Sequence, residues 1–199
     1  MSDPLARALR APAPQAAAAA TRFADRAAAE HRADLAYATT ASPLGELLLL
    51  SGPRGLVMMH YLDEPLEPAL EQIARRRSPR IVRSAAALDP WRRELDEYFA
   101  GKRSEFGVPI HEPGTPFQER VWAALREIPY GETLSYGELA RTLGDPAAVR
   151  AVAQANGRNR IAVLVPCHRV IGADGGLGGY GGGLWRKRRL LEIEGAALS

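Results

Sequence analysis

Three helix starts follow one another between Thr115 and Pro146, and they leave the second half of the chain little conformational freedom. Thr115-Pro116-Phe117-Gln118 reads as a capping box with proline in the first helical position. Its helix would bury Phe117, Val121, Trp122, Leu125 and Ile128, and Pro129-Tyr130-Gly131 ends it. Ser135-Tyr136-Gly137-Glu138 is a second capping box; its short helix holds Leu139 and Leu143 and stops at Gly144. Asp145-Pro146 opens a third helix at once, and Asn156-Gly157 closes it. Two helices joined by so tight a turn form a helix-turn-helix pattern, a signature shared with any closely packed helix pair.

The rest of the chain falls into place around this block. Residues 1–35 are Ala-rich, with Pro12 and Pro14, and read as a mobile leader without a packed core. Residues 36–106 read as a small α/β domain. Glu46–Ser51 and Leu56–Tyr61 are strands joined by Gly52-Pro53-Arg54-Gly55. Leu66, Leu70 and Ile73 fall at helical spacing, and a short strand is expected at Arg80–Arg83. Asp89-Pro90 is expected to start a helix carrying Trp91, Leu95, Tyr98 and Phe99, which Gly101 stops. Residues 107–114, with Pro109 and Pro113, are the linker, and residues 115–199 the second, mainly helical domain. Within it Ile161–Val165 reads as a buried strand, followed by an active-site loop, a glycine-rich stretch and a last helix from Leu184 to Glu194. The fold class is therefore α+β. All three tryptophans read as packing residues.

Composition narrows the function. With 46% hydrophobic and 25% charged residues the 199-residue chain suits a soluble globular protein. Its apolar runs, Leu47–Leu50 among them, are far short of a membrane span, and no secretory signal opens it, so no membrane partner and a cytoplasmic location are expected. The net charge of +3 sits wholly after residue 114, where 11 basic residues face 8 acidic ones, a bias that suits a polyanion. A single cysteine, Cys167, rules out an internal disulfide and a cysteine-based zinc cluster, and no metal site is expected. As a nucleophile its thiol would need a base, since a free thiol is mostly protonated at neutral pH. His168 is adjacent, Arg169 follows, and either Glu192 or Glu194 could orient the imidazole. Spacing alone does not choose between them.

Pro166-Cys167-His168-Arg169-Val170 strongly resembles the active-site motif of the O6-alkylguanine-DNA alkyltransferases. The resemblance runs from about Leu35 to Gly195 and is densest after Thr115, where Thr115–Gln118, Tyr130-Gly131-Glu132, Ser135-Tyr136 and Gly178-Gly179-Tyr180 match. It implies that Cys167 accepts the alkyl group, that His168 takes its proton through a water, that Glu194 orients His168, and that Asn159 braces the active-site turn. It implies that Arg150 fills the gap left by a flipped base and that Tyr136 crowds the 3′ phosphate and contacts the base. Ala147 and Ala151 would let the third helix approach the minor groove closely. Tyr180, Gly181, Val170 and Lys187 would belong to the substrate pocket. The implied partner is double-stranded DNA containing O6-alkylguanine, bound by a monomer, and the implied reaction needs no cofactor. Two departures stand out: Arg160 replaces a frequent proline, which would loosen the Asn159 brace, and Gly181 replaces a frequent serine, which would widen the pocket.

Two other readings use the same residues. A non-catalytic DNA-binding module would sense alkyl damage or regulate transcription with a silent thiol, although relatives of that kind lack the acceptor cysteine. A cysteine hydrolase would use a Cys–His–Glu set and turn over repeatedly.

Overall fold

The Leu47–Leu50 run does not alternate because it lies in an inner strand with cover on both faces. All four side chains are fully buried: Leu47 and Leu49 enter the main core, while Leu48 and Leu50 join Leu35, Val57 and Ile73 in a second one. The computed structural model describes residues 14–197. In chain order these form α1 (Pro14–Ala29), β1 (Leu35–Thr40), β2 (Leu47–Gly52), β3 (Gly55–Tyr61), α2 (Leu66–Arg76), β4 (Ile81–Arg83) and α3 (Ala85–Phe99). The C-terminal half follows with α4 (Pro116–Arg126), β5 (Leu134–Ser135), α5 (Tyr136–Thr142), α6 (Val149–Gly157), a 3₁₀ turn (Cys167–Arg169), β6 (Val170–Ile171) and α7 (Leu184–Ile193). The main sheet has the order β3-β2-β1-β4, antiparallel except for the parallel β1–β4 pair. The α+β class and its division into an α/β part and a mainly helical part hold.

Two of the three helix starts expected after residue 114 are capped as their sequences require. Thr115 and Ser135 each accept from the backbone of the third helical residue, and Gln118 and Glu138 reach back to the cap. The third is not: Asp145 accepts from Ala147 N (3.1 Å) within a turn, and α6 starts only at Val149, behind Ala148 and with no side-chain cap. Trp122, between α4 and α6, donates to Ala155 O (2.9 Å).

Four further expectations need correction. The leader is not wholly without packing: within 14–35, α1 buries Ala27 and its Asp25 accepts from Ser84 Oγ (2.6 Å), while residues 1–13 lie outside the described residues. The helix expected at Asp89-Pro90 starts a turn earlier, because Ser84 caps it through Ala87 N, and Pro90 sits on its exposed side. Ile161–Val165 is buried but is not a strand. Only Ile161 pairs, with Met59 of β3, and Val165 N then turns back to Ile161 O (3.0 Å). Val163 takes a φ of +68°, a conformation that a β-branched residue adopts only when its surroundings impose it. Trp185, finally, is 56% exposed, with the Arg186 guanidinium against its ring, while Trp91 and Trp122 are buried.

The linker is pinned along its length. Glu94 accepts from Gly107 N and Val108 N, Trp91 donates to Pro109 O, and Ile110 pairs with Leu56 of β3. One continuous core joins the two halves, running from Leu47, Leu49 and Met59 to Val121, Val152 and Leu190. The active-site turn is thus gripped from both sides. No described helix is long and apolar enough to cross a membrane.

Candidate active site

The turn from Asn159 to Arg169 carries the chemistry, and Asn159 closes it. Its Nδ2 donates to Val165 O (2.7 Å), and its Oδ1 accepts from Ile161 N (2.8 Å). The backbone beyond is held by Cys167 N, which donates to Val165 O (2.8 Å). Arg160 does not loosen this arrangement, contrary to the expectation from its missing proline. Its N–H, which proline would lack, donates to Glu112 Oε1 (2.6 Å), and its carbonyl accepts from Met59 N (2.7 Å). Burial pushes the Glu112 carboxyl up to about 7, against the pull of the Arg160 N–H and of the charges on Arg126, Arg160 and Arg77.

Cys167 is 7% exposed and lines a cleft of about 190 Å³. Burial pushes its thiol up to about 11, opposed by Asn159 and by the positive charge of Lys187. The resting group is therefore a thiol that needs a base.

His168, the next residue in the chain, is the candidate. It is fully buried, and Glu194 Oε1 lies 2.9 Å from its Nε2. Burial pulls the imidazole below its ordinary range despite the nearby carboxylate. The neutral ring thus carries its proton on Nε2, donated to Glu194, and keeps a lone pair on Nδ1. That Nδ1 is buried and has no partner among the described residues.

Glu194, and not Glu192, is the carboxylate that meets the imidazole; Glu192 pairs with Arg189 at the surface. Glu194 also accepts from Tyr98 OH (2.7 Å), from Arg169 Nε (2.8 Å) and from Arg169 Nη2 (2.9 Å). Burial alone would raise it, but the hydrogen bonds from His168 and Arg169 prevail and hold it at about 2. Gly131 is required beside it. With φ at +81°, it packs so close that a Cβ would stand 2.8 Å from Glu194 O.

The remaining expected residues fall into four groups. Tyr180 and Gly181 line the cleft with Cys167 and Asn159. Val170 and Lys187 are buried and do not line it: Lys187 Nζ donates to Val170 O (2.6 Å) and Gly178 O (3.2 Å), tying the strand after the turn to the glycine-rich loop. Arg150, Ala147 and Ala151 are exposed on α6 and the turn before it, outside the cleft. Tyr136, half-buried at the start of α5, packs its hydroxyl against Gly178.

Sequence reasoning missed four participants. Arg169 was visible as part of the motif but not as a buried partner of Glu194. Tyr98 read as a core aromatic. Glu112 lies in the linker, where nothing in the sequence marks it. Asn156 read only as a helix terminator, yet it is 4% exposed, lines the cleft, and donates from Nδ2 to Cys167 O (3.4 Å) with its Oδ1 unpartnered among the described residues.

Comparison with known proteins accounts for both halves. The DNA binding domain of 6-O-methylguanine DNA methyltransferase matches residues 116–196, and the ribonuclease-like domain of the same proteins matches residues 35–111. A methylated-DNA–protein-cysteine methyltransferase of Mycobacterium tuberculosis is 49% identical over 158 residues, covering 79% of this chain and 91% of the relative. The inducible one of Bacillus subtilis is 46% identical over 148 residues, covering 73% of this chain and 82% of the relative. Among solved structures, the Mycobacterium tuberculosis O6-methylguanine methyltransferase superposes with a TM-score of 0.72 at 46% identity, over 81% of this chain and 93% of that one. The same organism's OGT in complex with DNA gives 0.70 at 46% identity, over 80% of this chain and 92% of that one. With each half matched in turn and relatives this similar covered almost end to end, the chain belongs to the 6-O-methylguanine DNA methyltransferase family.

Proposed function

We propose that this protein repairs DNA by moving a methyl or larger alkyl group from guanine O6 onto Cys167, once per chain. The observation that carries the reading is a buried thiol lining a cleft, followed directly in the chain by a neutral imidazole whose Nε2 is fixed by a carboxylate. Family membership supports it.

The steps follow from the geometry. O6 is out of reach inside a duplex, so the damaged nucleotide must leave the stack, at a cost of a few kcal/mol. In this reading exposed Arg150 fills the gap, Tyr136 crowds the backbone beside it, and small, exposed Ala147 and Ala151 let α6 lie close in the minor groove. Tyr180 and Gly181 then flank the extruded base. His168 Nδ1 takes the proton of Cys167 through a water, and Glu194 stabilises the imidazolium that forms. The thiolate attacks the alkyl carbon in line with the C–O6 bond. That bond breaks, its electron pair goes to guanine, and guanine takes up one proton, matching the one the thiol gave up. The thioether product has no good leaving group, so Cys167 stays alkylated. Asn159 acts on the reacting atom indirectly, by holding the turn. The protein works as a monomer on double-stranded DNA, in the cytoplasm at the nucleoid.

Intact mass after incubation with duplex O6-methylguanine DNA tests this. One added methyl per chain is expected, absent in Cys167→Ala. Unchanged mass with DNA binding retained would instead identify a damage-sensing module, and sustained turnover of an ester or amide a hydrolase.

A further inference from the structure

One wall of the cleft comes from the N-terminal half. Along it, β3 contributes Met58, Met59, His60 and Tyr61, and Cys167 and Tyr180 line the same space. Tyr61 is the residue of this strand that meets the glycine-rich loop. Its ring lies edge-on to that of Tyr180, with centroids 6.4 Å apart, and the two phenol oxygens are 3.5 Å apart.

This ring has nowhere to go. Gly182 approaches it so closely that a Cβ there would stand 2.6 Å from the ring carbons, which is why the loop needs glycine at this point. The Arg186 guanidinium lies 4.2 Å from the ring centroid. Arg186 is itself fixed by two bonds to Asp63 (2.7 and 2.5 Å), one to Leu44 O (2.8 Å) and one to Gly182 O (3.0 Å). Tyr61 is therefore a clamped wall, unlike an aliphatic side chain that could change rotamer to admit a ligand.

We propose that Tyr61 sets the largest alkyl group that Cys167 can accept. The inference rests on the alkyl-transfer reading. In-line displacement fixes sulfur, alkyl carbon and O6 on one axis, so whatever the alkyl group carries beyond its first carbon must lie beside that axis, in the cleft. The base occupies the Tyr180 side. The remaining lining comes from β3 and from the stretch between Asn156 and Ala162, and Tyr61 is the aromatic side chain in it, clamped in place. The N-terminal half then acts as a size filter on a reaction whose nucleophile and base lie in the other half.

The test compares alkyl-transfer rate constants for duplexes carrying O6-methylguanine and O6-benzylguanine, read by intact mass. In Tyr61→Leu the benzyl-to-methyl ratio should rise about tenfold or more over wild type, the scale that one removed pocket group commands. Tyr61→Phe, which keeps the ring, should leave the ratio as it is. Should Tyr61→Leu not fold, Tyr61→Met replaces the ring by an unbranched, flexible side chain, and the ratio should move the same way. A ratio unchanged in a folded Leu or Met variant overturns the proposal. Failure of the wild type to take a methyl group at all would sink the repair reading instead, so the two outcomes are distinct.

Discussion

Two carboxylates, Glu194 buried and Glu112 half-buried, hold opposite ends of the active-site turn, and they are treated differently. At the His168 end, Glu194 accepts hydrogen bonds from Tyr98, His168 and Arg169, and against burial the bonds and charges of His168 and Arg169 hold its carboxyl at about 2. At the Asn159 end, Glu112 has one backbone N–H on Oε1, its Oε2 is buried without a partner among the described residues, and burial lifts it to about 7. Desolvation pushes both the same way. The number of donors decides the outcome. The Glu194 end is over-determined and permanently charged, which suits a group that must stabilise an imidazolium. The Glu112 end is under-satisfied and sits near its titration point, so the tie between linker and turn depends on pH.

Glu194→Ala should give the largest effect. Arg169 would remain buried without its countercharge, a loss of about 3–5 kcal/mol for a broken buried pair, measurable by denaturant titration. His168 would lose its orienting acceptor as well, and alkyl transfer should slow by roughly 100-fold or more, the contribution expected of a positioned general base. A variant with near wild-type stability and rate would show that the Glu194 network is incidental. Acid titration probes the same end. The folded carboxyl lies below its ordinary value of 4.5, so its stabilisation is complete above pH 4.5 and lost as the pH falls toward 2.

Asn159→Ala comes next, because it removes both side-chain bonds that close the turn. A stability loss of about 2 kcal/mol is expected from the unpaired backbone groups. A roughly 10- to 100-fold slower transfer should accompany it, since a small shift of the reacting sulfur is costly. Equal transfer rates would mean that the Arg160 tie alone holds the turn.

The difference between the two ends also explains what could be read from the sequence. Helix caps are local, so Thr115–Gln118 and Ser135–Glu138 were legible in full. The cysteine, the histidine and the choice of Glu194 came with a motif and a resemblance. Contacts between elements distant in the chain were not legible. Tyr98 reaches Glu194 across 96 residues, Tyr61 meets Tyr180 across 119, and Glu112 finds Arg160 across 48. The Ile161–Val165 run shows the limit of pattern reading. Its apolar content foretold burial correctly, but buried strand and buried turn have the same composition, and the Asn159 side chain made the choice.

Glu112→Gln should give the smallest effect and the most specific one. Gln keeps an oxygen to accept from Arg160 N, so the turn should stay tied while the titration disappears. The folded carboxyl lies above its ordinary value of 4.5, at about 7, so the native state holds this proton more tightly than the unfolded chain. Stability therefore falls as the pH rises from about 4.5 to about 7 and levels off above that, where a charged carboxylate is buried among Arg77, Arg126 and Arg160 without a direct side-chain bond to them. The variant should lack this slope and be more stable than wild type above pH 7 by roughly 1–2 kcal/mol, after allowing for solvent screening. Thermal unfolding of both proteins across pH 4 to pH 8 measures it. Parallel curves would show that the two ends of the turn do not differ in the way their hydrogen bonds suggest, and a variant less stable at pH 8 would mean that the three arginines outweigh burial and hold Glu112 ionised.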